Sequence, residues 1–196
     1  MMPRLTDNKK YQYRVCQLKS CHDFEHYEPQ LATLMKMYGQ RWGERPGYTL
    51  GESLENLCGS LPHVWLGLDT DTDEVIAAAS LTDEVPGRHA YIHGLHHPAY
   101  PKHPAITAVA KTVIRYAFDE LDVLKVKAEC LPAYWGVRGF CRRFGFRMEA
   151  RLPEDRMIRD FEGRQYLSDV LLYALSKQVY QVQKKLQEEN VYVLWE

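Results

Sequence analysis

The chain has 196 residues, of which 45% are hydrophobic and 26% are charged, and its formal net charge is −1. This length suits one domain with a full core, and the near-zero charge argues against nucleic-acid or anionic-membrane partners. No apolar run is long enough to cross a bilayer, and residues 1–10 lack the apolar stretch of a secretory signal.

The cysteines suggest a reducing compartment. There are five of them, with no Cys-x-x-Cys pair and no zinc-type spacing. An odd number without these spacings is typical of reduced thiols in the cytosol. We therefore expect a cytoplasmic protein.

Apolar periodicity and turn residues predict a strand, two helices and three strands in the first half of the chain. The two helices are expected over His22–Trp42, with an interruption at Pro29, and over Thr49–Leu57. The four strands are expected over Tyr11–Leu18, Leu61–Leu68, Glu74–Leu81 and His89–His96. Turns are expected at Pro46–Gly47, at residues 69–73 and at Pro86–Gly87.

The second half alternates helices with strands. A central helix begins near Pro104 and runs to Leu121, and a second helix carries its apolar residues from Val137 to Phe144, with Gly145 ending it. Strands are expected over Leu124–Cys130, Phe146–Ile158 and Gln165–Leu175, with a turn at Glu162–Gly163. This order predicts a mixed α/β (α+β) layer fold, with residues 1–176 as one domain and residues 177–196 as a C-terminal helix and apolar tail.

Three segments of the second half share their order and spacing with a known family. They are the sequence His-Pro-Ala-Tyr at His97–Tyr100, the helix end Tyr116–Leu121, and the sequence Arg-Arg-Phe-Gly-Phe at Arg142–Phe146. With the last strand, Val170–Leu175, they resemble the GNAT superfamily of acetyl-CoA-dependent N-acetyltransferases. The branch they resemble most acetylates the N-termini of ribosomal proteins and related amines.

The resemblance implies a mixed, mostly antiparallel sheet with helices on both faces and a V-shaped gap between strands four and five. In the family, acetyl-CoA lies in that gap, its pantetheine pairs with strand-four backbone, and its diphosphate binds the N-terminus of the central helix. Unpaired first-turn N–H groups and the positive end of the helix dipole favour such an anion. For strand four, the resemblance implies contacts with acetyl-CoA at Leu95, His96 and His97.

The phosphate-binding loop departs from the family pattern. Lys102 and Pro104 stand at positions where the family has glycine or alanine. Proline lacks an N–H donor but is tolerated as the first residue of a helix, and Lys102 and His103 supply charge in exchange for the lost amides. The resemblance makes these residues the candidate phosphate contacts: Lys102, His103, Pro104, Ala105 and Ile106.

Acetyl transfer requires that the amine lose a proton and that the thioester carbonyl be polarised. A backbone N–H near Leu95 or His96 is the candidate donor to the carbonyl. His93 is the first candidate base because imidazole titrates near neutrality, although a hydrogen-bonded strand histidine is the alternative. Glu129 is the second candidate base. Tyr134 is either a hydroxyl donor beside the cofactor or an aromatic cover over the helix start.

Five of the eight histidines lie between residues 89 and 103. No cysteine or carboxylate spacing nearby supports a metal site, so no metal is expected. The sequence predicts an N-acetyltransferase acting on a primary amine of a small molecule or a protein N-terminus. A homodimer through residues 177–196 is one expectation for the apolar tail. The alternative function is a catalytically lapsed GNAT-fold protein that serves as an interaction or structural component.

Overall fold

A computed structural model describes residues 11–42, 50–159 and 164–188. The strands in chain order are β1 (Tyr13–Leu18), β2 (Val64–Asp69), β3 (Val75–Val85), β4 (His89–His96), β5 (Lys125–Cys130), β6 (Arg147–Arg159) and β7 (Gln165–Ser176). The helices are α1 (Cys21–Trp42), α2 (Leu50–Gly59), α3 (Pro104–Asp119), α4 (Trp135–Arg143) and α5 (Lys177–Glu188).

The described strands form one seven-stranded sheet in the order β1-β2-β3-β4-β5-β7-β6. Neighbouring strands are antiparallel, except that β4 and β5 are parallel. A parallel pair needs a long crossover connection, and here α3 supplies it between β4 and β5. The predicted mixed, mostly antiparallel sheet is confirmed.

Helices cover both faces of the sheet, as predicted. On one face α3 and α4 pack on alternate residues of β3, β4, β5 and β7, with Val113, Ala117 and Phe118 in the centre of the core. On the other face α1 and α2 pack on β2 and β3 through Leu31, Leu34 and Leu57. The second core is confined to the half of the sheet that contains β1 to β4.

The expected interruption of the first helix at Pro29 is wrong, because α1 continues through this residue. Proline costs a helix interior about 3 kcal/mol. The apolar face of α1 buries Phe24, Leu31 and Leu34 almost completely, and each buried side chain of this size contributes about 1.5–3 kcal/mol. Burial therefore outweighs the lost backbone hydrogen bond.

Other differences are limited to the ends of elements, where assignments shift by a few residues. The turns expected at Pro46–Gly47 and Glu162–Gly163, and the tail expected to follow α5, lie outside the described residues. The proposed division at residue 176 falls between β7 and α5. That the two parts are separate units stays a prediction.

Helix α5 packs on the end of α3. The Tyr180 and Phe118 rings stack with centroids 4.7 Å apart, and the Tyr180 hydroxyl donates to Asp119 Oδ2 at 3.1 Å. Lys184 Nζ donates to the same oxygen at 2.9 Å. The helix of the C-terminal segment thus uses one side to cover its own domain, and dimerisation through the segment stays a prediction.

The first turns of α3 lie directly on β2. A Cβ on Gly67 would be 2.7 Å from Val109 Cγ2 and 3.0 Å from Ala105 Cβ. Such distances are shorter than van der Waals contact, so the helix can approach the sheet this closely only because residue 67 has no side chain. This contact sets how closely the first turns of α3 approach β2.

We expect Gly67→Ala to lower the free energy of unfolding by about 1–3 kcal/mol, the usual cost of overpacking a core. Gly139→Ala is the matched control, because a Cβ at this α4 position would have no heavy atom within 4 Å apart from its chain neighbours and the backbone of its own helix. It should be neutral or stabilise by up to about 1 kcal/mol. Equal effects of the two substitutions in chemical denaturation would contradict the close approach.

Candidate active site

Strands β4 and β5 are paired only at one end. The pairs are His89 with Lys125, Ala90 with Val126 and Tyr91 with Lys127. Beyond Tyr91, β4 pairs only with β3, and beyond Lys127, β5 pairs only with β7. The two strands therefore part in the middle of the sheet, and the predicted V-shaped gap is present.

Alternation along the strands divides the side chains beside the gap between two faces. Ile92 and Ala128 belong to the core beneath α3. Tyr91, His93 and Leu95 of β4 lie on the opposite face, where Leu95 packs at the border of the α1–α2 core. The gap thus has an apolar side and a side that carries titratable groups.

His93 lies on the second face and is exposed. Its Nε2 is 2.8 Å from Oγ1 of Thr82, which is on the neighbouring strand β3. A hydroxyl can donate or accept a hydrogen bond, so it orients the ring without requiring one protonation state. The structure therefore places the first candidate base next to the gap, within reach of solvent.

Glu129 has a partner. Arg156 Nη2 donates to Glu129 Oε2 at 2.8 Å, and both side chains are half-buried. A carboxylate held by a guanidinium is a poorer candidate for accepting a proton from substrate than an unpaired one. The ion pair gives Glu129 a structural task at the edge of the gap.

Tyr91 lies at the point where the strands part. Lys127 Nζ is 5.3 Å from the centroid of its ring. Burial, followed by the negative charges of Glu129 and Asp83, raises the pKa of the Tyr91 hydroxyl above its ordinary value. Tyr91 is therefore a phenol that stays protonated at neutral pH.

Tyr134 immediately precedes α4 and has no side-chain hydrogen bond that caps the helix. It packs against the small apolar cluster of Leu131, Ile158 and Val170. These contacts favour the aromatic cover over the helix start as the role of Tyr134. The interpretation of Tyr134 as a cofactor or catalytic residue stays a prediction.

Arg138, in the first turns of α4, was not foreseen from the sequence. Its guanidinium lies 4.6 Å from the Trp135 ring centroid, and its Nη1 donates to the Pro132 carbonyl at 3.4 Å. Nε is buried and has no hydrogen-bond partner among the described residues. Its positive charge acts on Cys130 at the end of β5, where burial raises the pKa of the thiol to about 11 despite that charge.

The end of β4 stays hydrogen-bonded to β3. The His97 amide donates to the Ile76 carbonyl of β3 at 2.7 Å, and His96 Nδ1 lies 3.2 Å from the His97 carbonyl. His97 Nδ1 accepts from the Ala99 amide at 3.2 Å, and its Nε2 is 3.5 Å from Glu74 Oε1. One ring nitrogen of His97 thus contacts the turn that follows β4, and the other faces the residue that precedes β3.

His103 caps α3 from inside the protein. It is 3% exposed, and its Nδ1 accepts from the Ala105 amide at 3.2 Å. The Ile106 amide donates to the His103 carbonyl at 3.2 Å, and Pro104 has no N–H. Of the first three helical residues, Pro104 has no N–H, and the N–H groups of Ala105 and Ile106 both donate to His103.

Asp69 completes the cap. Its Oδ2 is 3.4 Å from His103 Nε2, and its Oδ1 accepts from the Asp71 and Thr72 amides at 3.0 and 3.1 Å. Burial opposes the charge on Asp69, yet the hydrogen bonds from Thr72, Asp71 and His103 lower the pKa of its carboxyl. Because Nδ1 of neutral His103 is an acceptor, its ring proton is on Nε2 and faces this carboxylate.

The start of α3 lies over β2, two strands away from β4 at the edge of the gap. Asp69 ends β2, and β3 separates β2 from β4 in the sheet. Two strand spacings correspond to about 10 Å. Lys102 is exposed on the connecting loop. His103, Pro104, Ala105 and Ile106 form a capped helix start over β2. That these residues contact a phosphate stays a prediction.

Two general findings concern the described ranges only. They contain no group of three or more histidine, cysteine, aspartate or glutamate side chains arranged to hold a metal ion. In the same ranges, no helix combines the length and the apolarity needed to span a membrane.

No protein-family model matches the sequence, and no curated protein is significantly similar to it. Solved structures do match the fold. A GCN5-related N-acetyltransferase from Brucella melitensis superposes with a TM-score of 0.68 at 20% identity, covering 93% of this chain and 83% of that one. This chain has the GNAT fold.

Two further GNAT-fold structures illustrate the range of similar proteins. The ribosomal-protein-S5-alanine acetyltransferase from Vibrio fischeri has a TM-score of 0.67 at 13% identity, covering 84% of this chain and 93% of that one. Mutant forms of the spermidine/spermine N-acetyltransferase from Vibrio cholerae have a TM-score of 0.65 at 15% identity, covering 88% and 98%. At these identities the likeness concerns the fold.

Besides Arg138, sequence reasoning missed Tyr91, Arg156 and Asp69. Tyr91 could have been predicted, because strand alternation places residues 91 and 93 on one face. The contact of Asp69 with His103 could not have been predicted, since the two residues are 34 positions apart in the chain. Arg156 of β6 reaches Glu129 of β5 across the intervening strand β7, so the contact depends on the order of strands in the sheet.

We expect Asp69→Asn to destabilise the protein by about 1–2 kcal/mol near neutral pH, because charge-assisted hydrogen bonds are lost. The native pKa of Asp69 is lowered, so its contribution is present above the unfolded-state pKa of about 4 and is lost as the pH falls below it. The difference in the free energy of unfolding between parent and variant should therefore decrease from about pH 6 to about pH 3 in chemical denaturation. Asp71→Asn, in the same turn but exposed, is the control and should change the free energy of unfolding by less than about 0.5 kcal/mol at neutral pH.

Proposed function

We propose that this protein is an N-acyltransferase that moves an acetyl group from acetyl-CoA to a primary amine by direct attack. The observation that carries the proposal is the parting of β4 and β5 beyond Tyr91 and Lys127. It opens the sheet between an apolar side and a side with titratable groups. The GNAT fold, which the chain shares with named acetyltransferases, supports the same reaction class.

The parted strands suit an extended, amide-containing arm. Beyond Tyr91 the side of β4 that faces the gap has no strand partner, and an added extended segment can bind to such an edge through main-chain hydrogen bonds. An N–H near Leu95 or His96 would polarise the thioester carbonyl. Such an interaction would become stronger as negative charge develops on the carbonyl oxygen.

Arg138 gives the donor arm a second polar contact. Its buried Nε has no partner among the described residues, and a buried donor without an acceptor is costly. Arg138 lies close enough to Cys130, at the end of β5, for its charge to act on that thiol. An amide carbonyl of a pantetheine arm that leaves the gap beside β5 would satisfy this donor.

His93 is the proposed base for the amine. Its ring is exposed beside the gap and is oriented by Thr82. The amine nitrogen attacks the thioester carbon, the C–N bond forms and the C–S bond breaks. His93 takes the proton that the amine loses and releases it to solvent, and the departing thiolate takes a proton from water to give the free thiol.

One observation favours the alternative of a lapsed, non-catalytic protein. The start of α3, which would receive the diphosphate in the family manner, is closed by His103 and Asp69. The two functions differ in donor binding. Titration calorimetry with acetyl-CoA and CoA separates them, because a lapsed protein would bind neither ligand even at millimolar concentration.

The test of catalysis is acetyl transfer from acetyl-CoA to a panel of primary amines, followed by thiol release and by mass spectrometry of the acceptor. We expect His93→Ala to lower turnover by about 100-fold, as expected for the loss of a general base. Donor affinity should remain within about 2-fold, a small free-energy change. His22→Ala is the control, because the His22 side chain is 95% exposed on α1.

Unchanged turnover in His93→Ala would remove His93 from the mechanism. If the parent protein bound acetyl-CoA without transferring its acetyl group to any amine of the panel, the acyltransferase proposal would fail. Absence of both binding and transfer would support the lapsed protein.

A further inference from the structure

We propose that this protein recognises its acyl donor through the pantetheine arm and not through the diphosphate. The proposal rests on the acyltransferase function above and concerns which part of the donor determines specificity. It predicts that a pantetheine thioester without a nucleotide is as good a donor as acetyl-CoA.

The first argument is that the amides at the start of α3 are occupied. The Ala105 amide donates to His103 Nδ1 and the Ile106 amide donates to the His103 carbonyl, while Pro104 has none. A phosphate at a helix N-terminus is held by such N–H groups. To bind one here, the protein would have to displace a side chain that is 3% exposed.

The second argument is charge. The carboxylate of Asp69 lies against His103 at the positive end of the α3 dipole, where an anion is most stabilised. Its lowered pKa keeps this carboxylate ionised at neutral pH. A diphosphate at the same place would meet a like charge in a partly desolvated site, which is unfavourable.

The third argument concerns the groups around the start of α3. His103 contacts the rings of Tyr11 and Tyr100, with centroids 4.5 and 6.3 Å away, over the β1–β2 end of the sheet. Lys102 is the only lysine or arginine between residues 97 and 106, and it is exposed.

The experiment compares acetyl-CoA with acetyl-pantetheine as donors for the parent protein, with one amine acceptor. Both donors carry the same thioester, so the bonds that form and break are the same. We expect kcat/KM values within about 3-fold of each other, since the nucleotide adds little binding free energy. Two charge-assisted hydrogen bonds to phosphate would instead favour acetyl-CoA by about 100-fold or more.

A second measurement examines the remaining cation of the loop. Lys102→Ala should change kcat/KM for both donors by less than about 2-fold, as should the control Lys111→Ala, an exposed lysine of α3. Adenosine 3′,5′-diphosphate should fail to compete with acetyl-CoA at about 1 mM, which corresponds to a binding free energy weaker than about −4 kcal/mol.

The outcomes separate the two proposals. A preference for acetyl-CoA of about 100-fold or more, or a selective loss of acetyl-CoA activity in Lys102→Ala, overturns the inference and leaves the acyltransferase function intact. Equal binding of both donors without transfer overturns the function and supports recognition through the arm. Failure to bind either donor overturns both.

Discussion

The contact between α3 and Gly67 is the constraint on which the arrangement of this protein depends. Because residue 67 has no side chain, the first turns of the helix rest directly on β2. The helix start therefore lies beside Asp69, the last residue of β2, and His103 can bridge the two. A larger residue at position 67 would lift α3 and separate the cap from its carboxylate.

The same placement puts the capped start of α3 over β2, two strands away from the opening between β4 and β5. What borders the opening is strand backbone, the half-buried pair Glu129–Arg156, the phenol of Tyr91 and the exposed ring of His93. These groups suit a neutral, extended donor arm and an amine acceptor better than a diphosphate. The proposed reaction and the proposed donor selectivity follow from this one geometry.

The fold could be predicted to a large extent from local patterns. Alternation located β4 at His89–His96 without error, and apolar spacing located α3 and α4. Pro29 misled the prediction, because its local cost is smaller than the burial of the apolar face of α1. Periodicity indicates that a segment has an apolar side. How much of that side is buried depends on tertiary packing.

The candidate site was predictable only in part. His93 and Glu129 are on strands beside the gap, as their positions in β4 and β5 indicated. His103 was expected to supply charge to a phosphate, and instead it accepts a hydrogen bond from its own helix and faces Asp69. Nothing in the spacing of residues 97–106 distinguishes a histidine that binds a ligand from one that caps a helix.

The sequence by itself determined the order of strands and helices along the chain and the placing of titratable residues on β4 and β5. These features depend on residues close together in the chain, whose periodicity expresses local backbone preferences. Only the tertiary structure decided which partners those side chains have: Arg156 for Glu129, Thr82 for His93 and Asp69 for His103. Each partner comes from another strand, and its proximity results from sheet order and helix packing, which no local pattern encodes.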